Sequence, residues 1–136
     1  MKKVLTALML LATTVAYSHN GGYFSEPARY GDAERSKAER GYLHCLEATN
    51  DGVVESALAH VAMMKLAVPA GGLEMIESRV REISRTSPSP ELRYKAFLTD
   101  MVLTHPETFA ALVTTGFETP DALFGALAGR LVVTAR

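Results

Sequence analysis

Proline and glycine cut this chain into apolar stretches of helical length, and that punctuation limits the folds open to it. Beyond residue 31 the breaks fall at Thr49-Asn50-Asp51-Gly52, Pro69-Ala70-Gly71-Gly72, Ser87-Pro88-Ser89-Pro90, Pro106 and Thr119-Pro120-Asp121. Between them apolar residues recur at i, i+3 and i+4, the period of an amphipathic helix. Strand alternation is absent apart from the ambiguous Leu131-Val132-Val133. The pattern predicts an all-α domain of about six short helices paired as antiparallel hairpins, because short turns leave consecutive helices side by side.

The first predicted helix runs from Asp32, as its cap, to about Ala48 and buries Tyr42, Leu43, Cys45 and Leu46. In the second, from Val53 to about Val68, Val54, Ala57, Leu58, Val61, Met64 and Val68 share a face. Ala59, Ala62, Met63 and Leu66 make the remaining surface apolar as well. A helix that is hydrophobic nearly all round belongs at the centre of a domain. The third sets Leu73, Ile76, Val80 and Ile83 against a solvated row of Glu74, Glu77, Arg79, Arg81, Glu82 and Arg85. The fourth starts at Pro90, runs to about Thr104 and is expected to bury Leu92, Ala96, Phe97, Met101 and Leu103. Pro suits a first helical turn, where its missing N–H has no partner to lose. Pro106 opens a short fifth helix with Phe109, Leu112 and Val113, and Thr119-Pro120-Asp121 a sixth with Leu123, Phe124, Leu127 and Leu131.

Ahead of this domain, Lys2-Lys3 precede an apolar run from Val4 to Ala16, and Ala16-Tyr17-Ser18 has the small-x-small pattern of a signal peptidase site. Residues 1–18 are therefore expected to be a signal peptide, 19–31 an irregular arm that Tyr23, Phe24 and Tyr30 pack down, and 32–136 the helical domain. The apolar run is short of the roughly 20 residues that span a bilayer, so no stable membrane insertion is expected after cleavage. The expected location is the periplasm or the cell exterior. There the single Cys, Cys45, cannot form an internal disulfide, and its apolar neighbours suit a buried thiol. Loss of Lys2 and Lys3 leaves 12 basic against 15 acidic groups. A weakly acidic domain has no electrostatic reason to bind a phosphate backbone, so no nucleic-acid partner is expected.

A faint internal repeat relates the second and fourth helices. A shift of 37 residues aligns Ala59 with Ala96, Met64 with Met101, Leu66 with Leu103 and Pro69 with Pro106. Ser89-Pro90-Glu91-Leu92-Arg93-Tyr94-Lys95-Ala96 resembles the start of the second helix of a HEAT-type repeat, with Pro, then an aliphatic-Arg pair, then Ala. Asn50-Asp51-Gly52-Val53-Val54-Glu55-Ser56-Ala57-Leu58 is similar at its Asp, aliphatic and Ala positions and has Glu55 where the family usually has Arg. The likeness spans roughly residues 32–115. It implies a HEAT-like right-handed stack of helix pairs that binds another protein, and an ordinary small helical bundle fits the same pattern.

Few residues offer chemistry. No Gly-x-Ser-x-Gly elbow occurs, and Pro69-Ala70-Gly71-Gly72 lacks the Lys-Ser/Thr of a phosphate loop. His19, exposed as a new N-terminus by cleavage, offers an amine and an imidazole to copper, but the N-terminal His braces it resembles sit on β-sandwiches. Arg93, Tyr94 and Lys95 form the one compact polar and aromatic cluster. Arg93 and Tyr94, with Arg79 and Arg85, are the candidate partner-binding edge. The competing structural role for Arg93 is a hydrogen-bond donor to a neighbouring loop. These residues predict a non-enzymatic protein-binding module with no cofactor. The alternative is a small helical carrier of a metal or apolar ligand, with His44, Cys45 and His60 around a cavity among the first, second and fourth helices.

Overall fold

A computed structural model describes Phe24 and residues 31–136 of the chain. The predicted signal peptide, His19, Tyr23 and Tyr30 lie outside the described residues. Among the described residues, five α-helices and one 3-10 segment follow in order: α1 (Asp32–Leu46), α2 (Asp51–Ala67), α3 (Glu74–Thr86), α4 (Pro90–Thr104), the 3-10 segment (Pro106–Thr114) and α5 (Pro120–Thr134). No strand occurs among the described residues. The all-α, hairpin-built bundle expected from the punctuation is the observed fold, and the 131–133 stretch is the end of α5.

Each break works through identifiable backbone chemistry. Asn50 Oδ1 accepts the Val53 N–H at 3.2 Å, so α2 starts at Asp51, two residues before the predicted Val53. Ser89 Oγ accepts from Leu92 N–H at 3.2 Å, and Thr119 caps α5 through Ala122 N–H at 3.1 Å. Each satisfies an amide that the first helical turn would leave open. Asp32 does not cap α1: Gly31 holds that position, and the Glu34 carboxylate reaches back to the Gly31 N–H at 3.4 Å. Asp32 pairs instead with Arg35 at 3.1 Å. After Pro106 the chain tightens into the 3-10 segment where an α-helix was expected.

The 37-residue repeat has a geometric counterpart. Val68, ending α2, and His105, ending α4, share φ of -133° with ψ of 74° and 57°. Their N–H groups donate to the paired methionines, Val68 to Met64 O at 3.0 Å and His105 to Met101 O at 2.8 Å. A proline follows each.

Helices α1 and α2 form one hairpin and α3 and α4 a second. The hairpins lie against each other, α1 on α3 and α2 on α4, while the 3-10 segment and α5 cover the α2–α4 layer. Thus α2 touches α1, α4, the 3-10 segment and α5, which explains its all-round apolar surface. Its Val54, Leu58, Val61 and Met64 join Leu46, Val80, Leu98, Val102, Phe109, Leu123 and Leu127 in a single core. The α3 face of Leu73, Ile76, Val80 and Ile83 is buried as predicted.

Seven side chains depart from the expected burial. Phe97, placed in the core by its spacing, is 45% exposed, whereas Leu98 and Val102 of the same helix are sealed. Met101 is half-buried, as are Tyr42, Leu43 and Cys45 on α1, so the Cys45 thiol is not sealed from solvent. Val113 of the 3-10 segment is exposed. Lys95 moves the other way and is 6% exposed. Helix α4 is covered by α2, α3 and α5, and its dry stripe has rotated so that Tyr94 and Phe97 face outward while Lys95 faces in.

Candidate functional site

The four residues proposed for a partner-binding edge divide by role. Arg93 Nη1 donates to the Ser87 carbonyl at 2.6 Å and to the Pro88 carbonyl at 3.4 Å, tying the α3–α4 turn to the first turn of α4. Arg79 donates through Nε and Nη2 to the Leu46 carbonyl, each at 3.3 Å, and pairs with Glu82 at 2.8 Å. Leu46 ends α1, where carbonyls lack intrahelical partners and the helix dipole favours a cation. Both guanidinium groups are thus held by the scaffold. Arg85 is exposed near the end of α3.

Tyr94 is 53% exposed. Its ring stacks on Phe97, with centroids 6.4 Å apart and planes 24° from parallel. Their spacing of three residues puts both rings on one side of α4. The half-buried Met101 continues that stripe one turn further on. Across the hairpin Arg81 meets Asp100 at 3.4 Å, so Arg85, one turn nearer the loop, lies level with the Ala96–Phe97 turn of antiparallel α4. The result is an aromatic edge on a rigid hairpin, flanked by the charges of Arg85 and Arg93. Sequence periodicity missed half of it, because Phe97 also fits the helix spacing of a core residue.

Behind this edge lies a polar cluster with no sequence signal beyond the individual residue types. Lys95 Nζ donates to Glu55 at 2.6 Å, Glu91 at 2.6 Å and Asp121 at 2.9 Å. It thereby joins α2, α4 and α5 at one atom. Phe124 lies beneath it, 5.6 Å from the ammonium to the ring centroid. Burial pulls the Lys95 pKa down, but the three hydrogen bonds and the Glu55 charge outweigh it and raise the pKa well above the usual lysine range. The hydrogen bond and charge of Lys95 hold the Asp121 carboxyl below its ordinary value. The three carboxylates offer oxygens within 4.8 Å of one another, the spacing of a cation site. The lysine ammonium occupies that focus. Held charged by three acceptors, it knits the bundle and is a poor nucleophile. Lys95 therefore belongs to the scaffold and not to the exposed cluster with Arg93 and Tyr94.

The residues of the carrier alternative are not gathered. Cys45 and His60 line an open depression of about 370 Å³ between α1 and α2, together with Tyr42 and Ser56, and α4 contributes nothing to it. His44 is exposed and lies outside this lining. His60 Nδ1 is 2.8 Å from the Ser56 carbonyl, with the rings of Phe24 and Tyr42 at 4.9 and 5.6 Å. Phe24 of the arm rests on the helices as anticipated. Among the described residues, the set whose ligand atoms converge is Glu55, Glu91 and Asp121, not His44, Cys45 and His60.

Comparison with protein-family models, curated proteins and solved structures gives no match.

Proposed function

We propose that this chain is an exported, non-enzymatic interaction module that binds another protein through the Tyr94–Phe97 edge of its second hairpin. The observation that carries this reading is the stacked aromatic pair, half exposed on a helix whose other large apolar residues are mostly buried. Aromatic side chains with an arginine beside them are the groups that contribute most at protein interfaces, because they bury large areas while losing little rotamer freedom. A helix pinned by core packing and by the Lys95 cluster presents them without further ordering cost. The HEAT-like reading is supported by the paired hairpins, with α2 on α4 and α1 on α3, and by the matched ends of α2 and α4. Export to the periplasm or the medium rests on the layout of residues 1–18.

The test uses a photo-crosslinking benzoylphenylalanine at position 94, in cells that make the full chain. A discrete protein adduct is expected, and Phe97→Ser should remove it while leaving the unfolding midpoint of the purified protein nearly unchanged. Absence of any discrete adduct at 94, or an adduct indifferent to Phe97→Ser, would overturn the reading.

A further inference from the structure

The aromatic edge has a counterpart elsewhere on the same chain. Between α1 and α3 runs a shallow groove lined by Leu43 and by Met75, which is 72% exposed. Glu39, Glu47 and Glu74 line it and, among the described residues, carry no ion pair or side-chain hydrogen bond. Glu82 and Arg79, also in the lining, neutralise each other at 2.8 Å, which among the described residues leaves Arg40 against three carboxylates without an ion pair. The groove thus combines apolar side chains with a surplus of carboxylates. The edge of α4 is aromatic, with Arg85 and Arg93 on the side that faces α3 and the exposed Glu91, paired with Lys95, on the other.

We propose that the occupant of this groove is the Tyr94–Phe97 edge of a second copy of the chain, a proposal that rests on the edge being an interaction surface. Charge complementarity along the α3 side of the edge is the first argument, since rim carboxylates of one copy would meet Arg85 and Arg93 of the next, with Glu91 turned away on the far side. The apolar groups match as well, because an exposed thioether makes favourable contacts with aromatic rings and adapts its shape to them. Topology supplies the third. Helix α3 lies between α1, which it reaches through Arg79 and Leu46, and α4, which it reaches through Arg81 and Asp100. Groove and edge therefore lie on opposite flanks of α3, and one copy can offer both at once. Such a contact joins two different surfaces, so it builds rings or open chains, or a reciprocal pair.

Sedimentation equilibrium of the purified protein tests this between about 10 μM and about 1 mM, where weak contacts between small proteins become populated. The average mass should climb with concentration and fall back when ionic strength is raised, because the rim charges are exposed and screened. Met75→Asp in the groove and Tyr94→Ser/Phe97→Ser at the edge should each weaken association at least tenfold. Mixing the two variants should restore a one-to-one dimer, since each supplies the surface the other lacks. If Met75→Asp fails to fold, Glu74→Lys replaces it, with Arg85→Glu as the charge-swapped partner expected to restore pairing. A wild-type chain that stays monomeric overturns the proposal, as does association indifferent to both variants or mixed variants that do not pair. A monomer that still forms the position-94 adduct with a different protein would sink the second-copy assignment alone. Loss of that adduct as well would sink the interaction edge itself.

Discussion

Replacing Lys95 with Met keeps the aliphatic stem in place and removes the one cation at the junction of α2, α4 and α5. The three acceptors contribute unequally. Glu55 is itself mostly buried, with 26% of its side chain exposed, so its charge-assisted bond to a buried ammonium is worth about 2–3 kcal/mol. Glu91 is 72% exposed, and its i,i+4 pair adds less than about 0.5 kcal/mol after screening. The Asp121 carboxylate is 81% exposed, and its bond serves mainly to register α5. Loss of the ammonium over Phe124 adds about 0.5–1 kcal/mol. Lys95→Met should then cost about 3 kcal/mol, a large fraction of the roughly 5–15 kcal/mol that holds a domain folded. Urea unfolding followed by far-ultraviolet circular dichroism should show the midpoint falling by about 1.5 M, for a slope near 2 kcal/mol per M. The pH dependence follows from the two shifts. Asp121 is held below its ordinary value, so its contribution is present above about pH 3.9 and is lost as pH falls through its folded pKa. Lys95 is raised, so its contribution is full below its ordinary value and is lost only as pH rises through the folded one. The gap between wild type and variant should be flat across neutral pH and close under strong acid. A variant within about 0.5 kcal/mol of wild type at neutral pH, or a gap that persists when the carboxylates are protonated, would refute this account of the cluster.

Three other outcomes follow from the packing. Leu98→Ala should cost about 2–5 kcal/mol and Phe97→Ala less than about 1 kcal/mol, in the same urea assay, because one seat is sealed and its neighbour is open. Asn50→Ala and Ser89→Ala should each cost about 1 kcal/mol as helix caps, with Asp or Thr at either position restoring most of it. Arg79→Ala should lose about 1–2 kcal/mol, while Arg79→Lys recovers only part, because a single ammonium cannot reproduce the fork on the Leu46 carbonyl.

Helix positions were legible from the sequence because Pro, Gly and capping residues act within a few positions of where they stand. Asn50, Ser89 and Thr119 carry their hydrogen bonds to amides three residues on, so spacing alone exposes them. The burial of Leu73, Ile76, Val80 and Ile83 was equally readable, since polar residues on the far side of α3 leave one orientation. Helix α4 was not. Tyr94 and Phe97 compete with Leu98 and Val102 for the interior at compatible spacings, and the neighbours that decide come from α2, α3 and α5. Lys95 illustrates the same limit for polarity: its acceptors lie 40, 4 and 26 residues away, and only the i,i+4 partner is visible in the sequence. The Arg79 bond to Leu46 likewise spans 33 residues. Of the two roles open to Arg93 in the sequence, its hydrogen bonds show the donor to a neighbouring loop.

The central position of α2 also dictates an order of events during synthesis. Its sequence emerges second, yet the surfaces that keep it dry arrive with α4, the 3-10 segment and finally α5, some seventy residues behind its own start. Until α5 has followed, a strongly apolar helix stays without its last cover, so the fold closes only once that helix is in place. A stop or frameshift ahead of Pro120 would therefore do more than shorten the protein. It would leave an adhesive helix open to solvent, and the truncated product should be cleared or aggregate instead of surviving as a smaller domain.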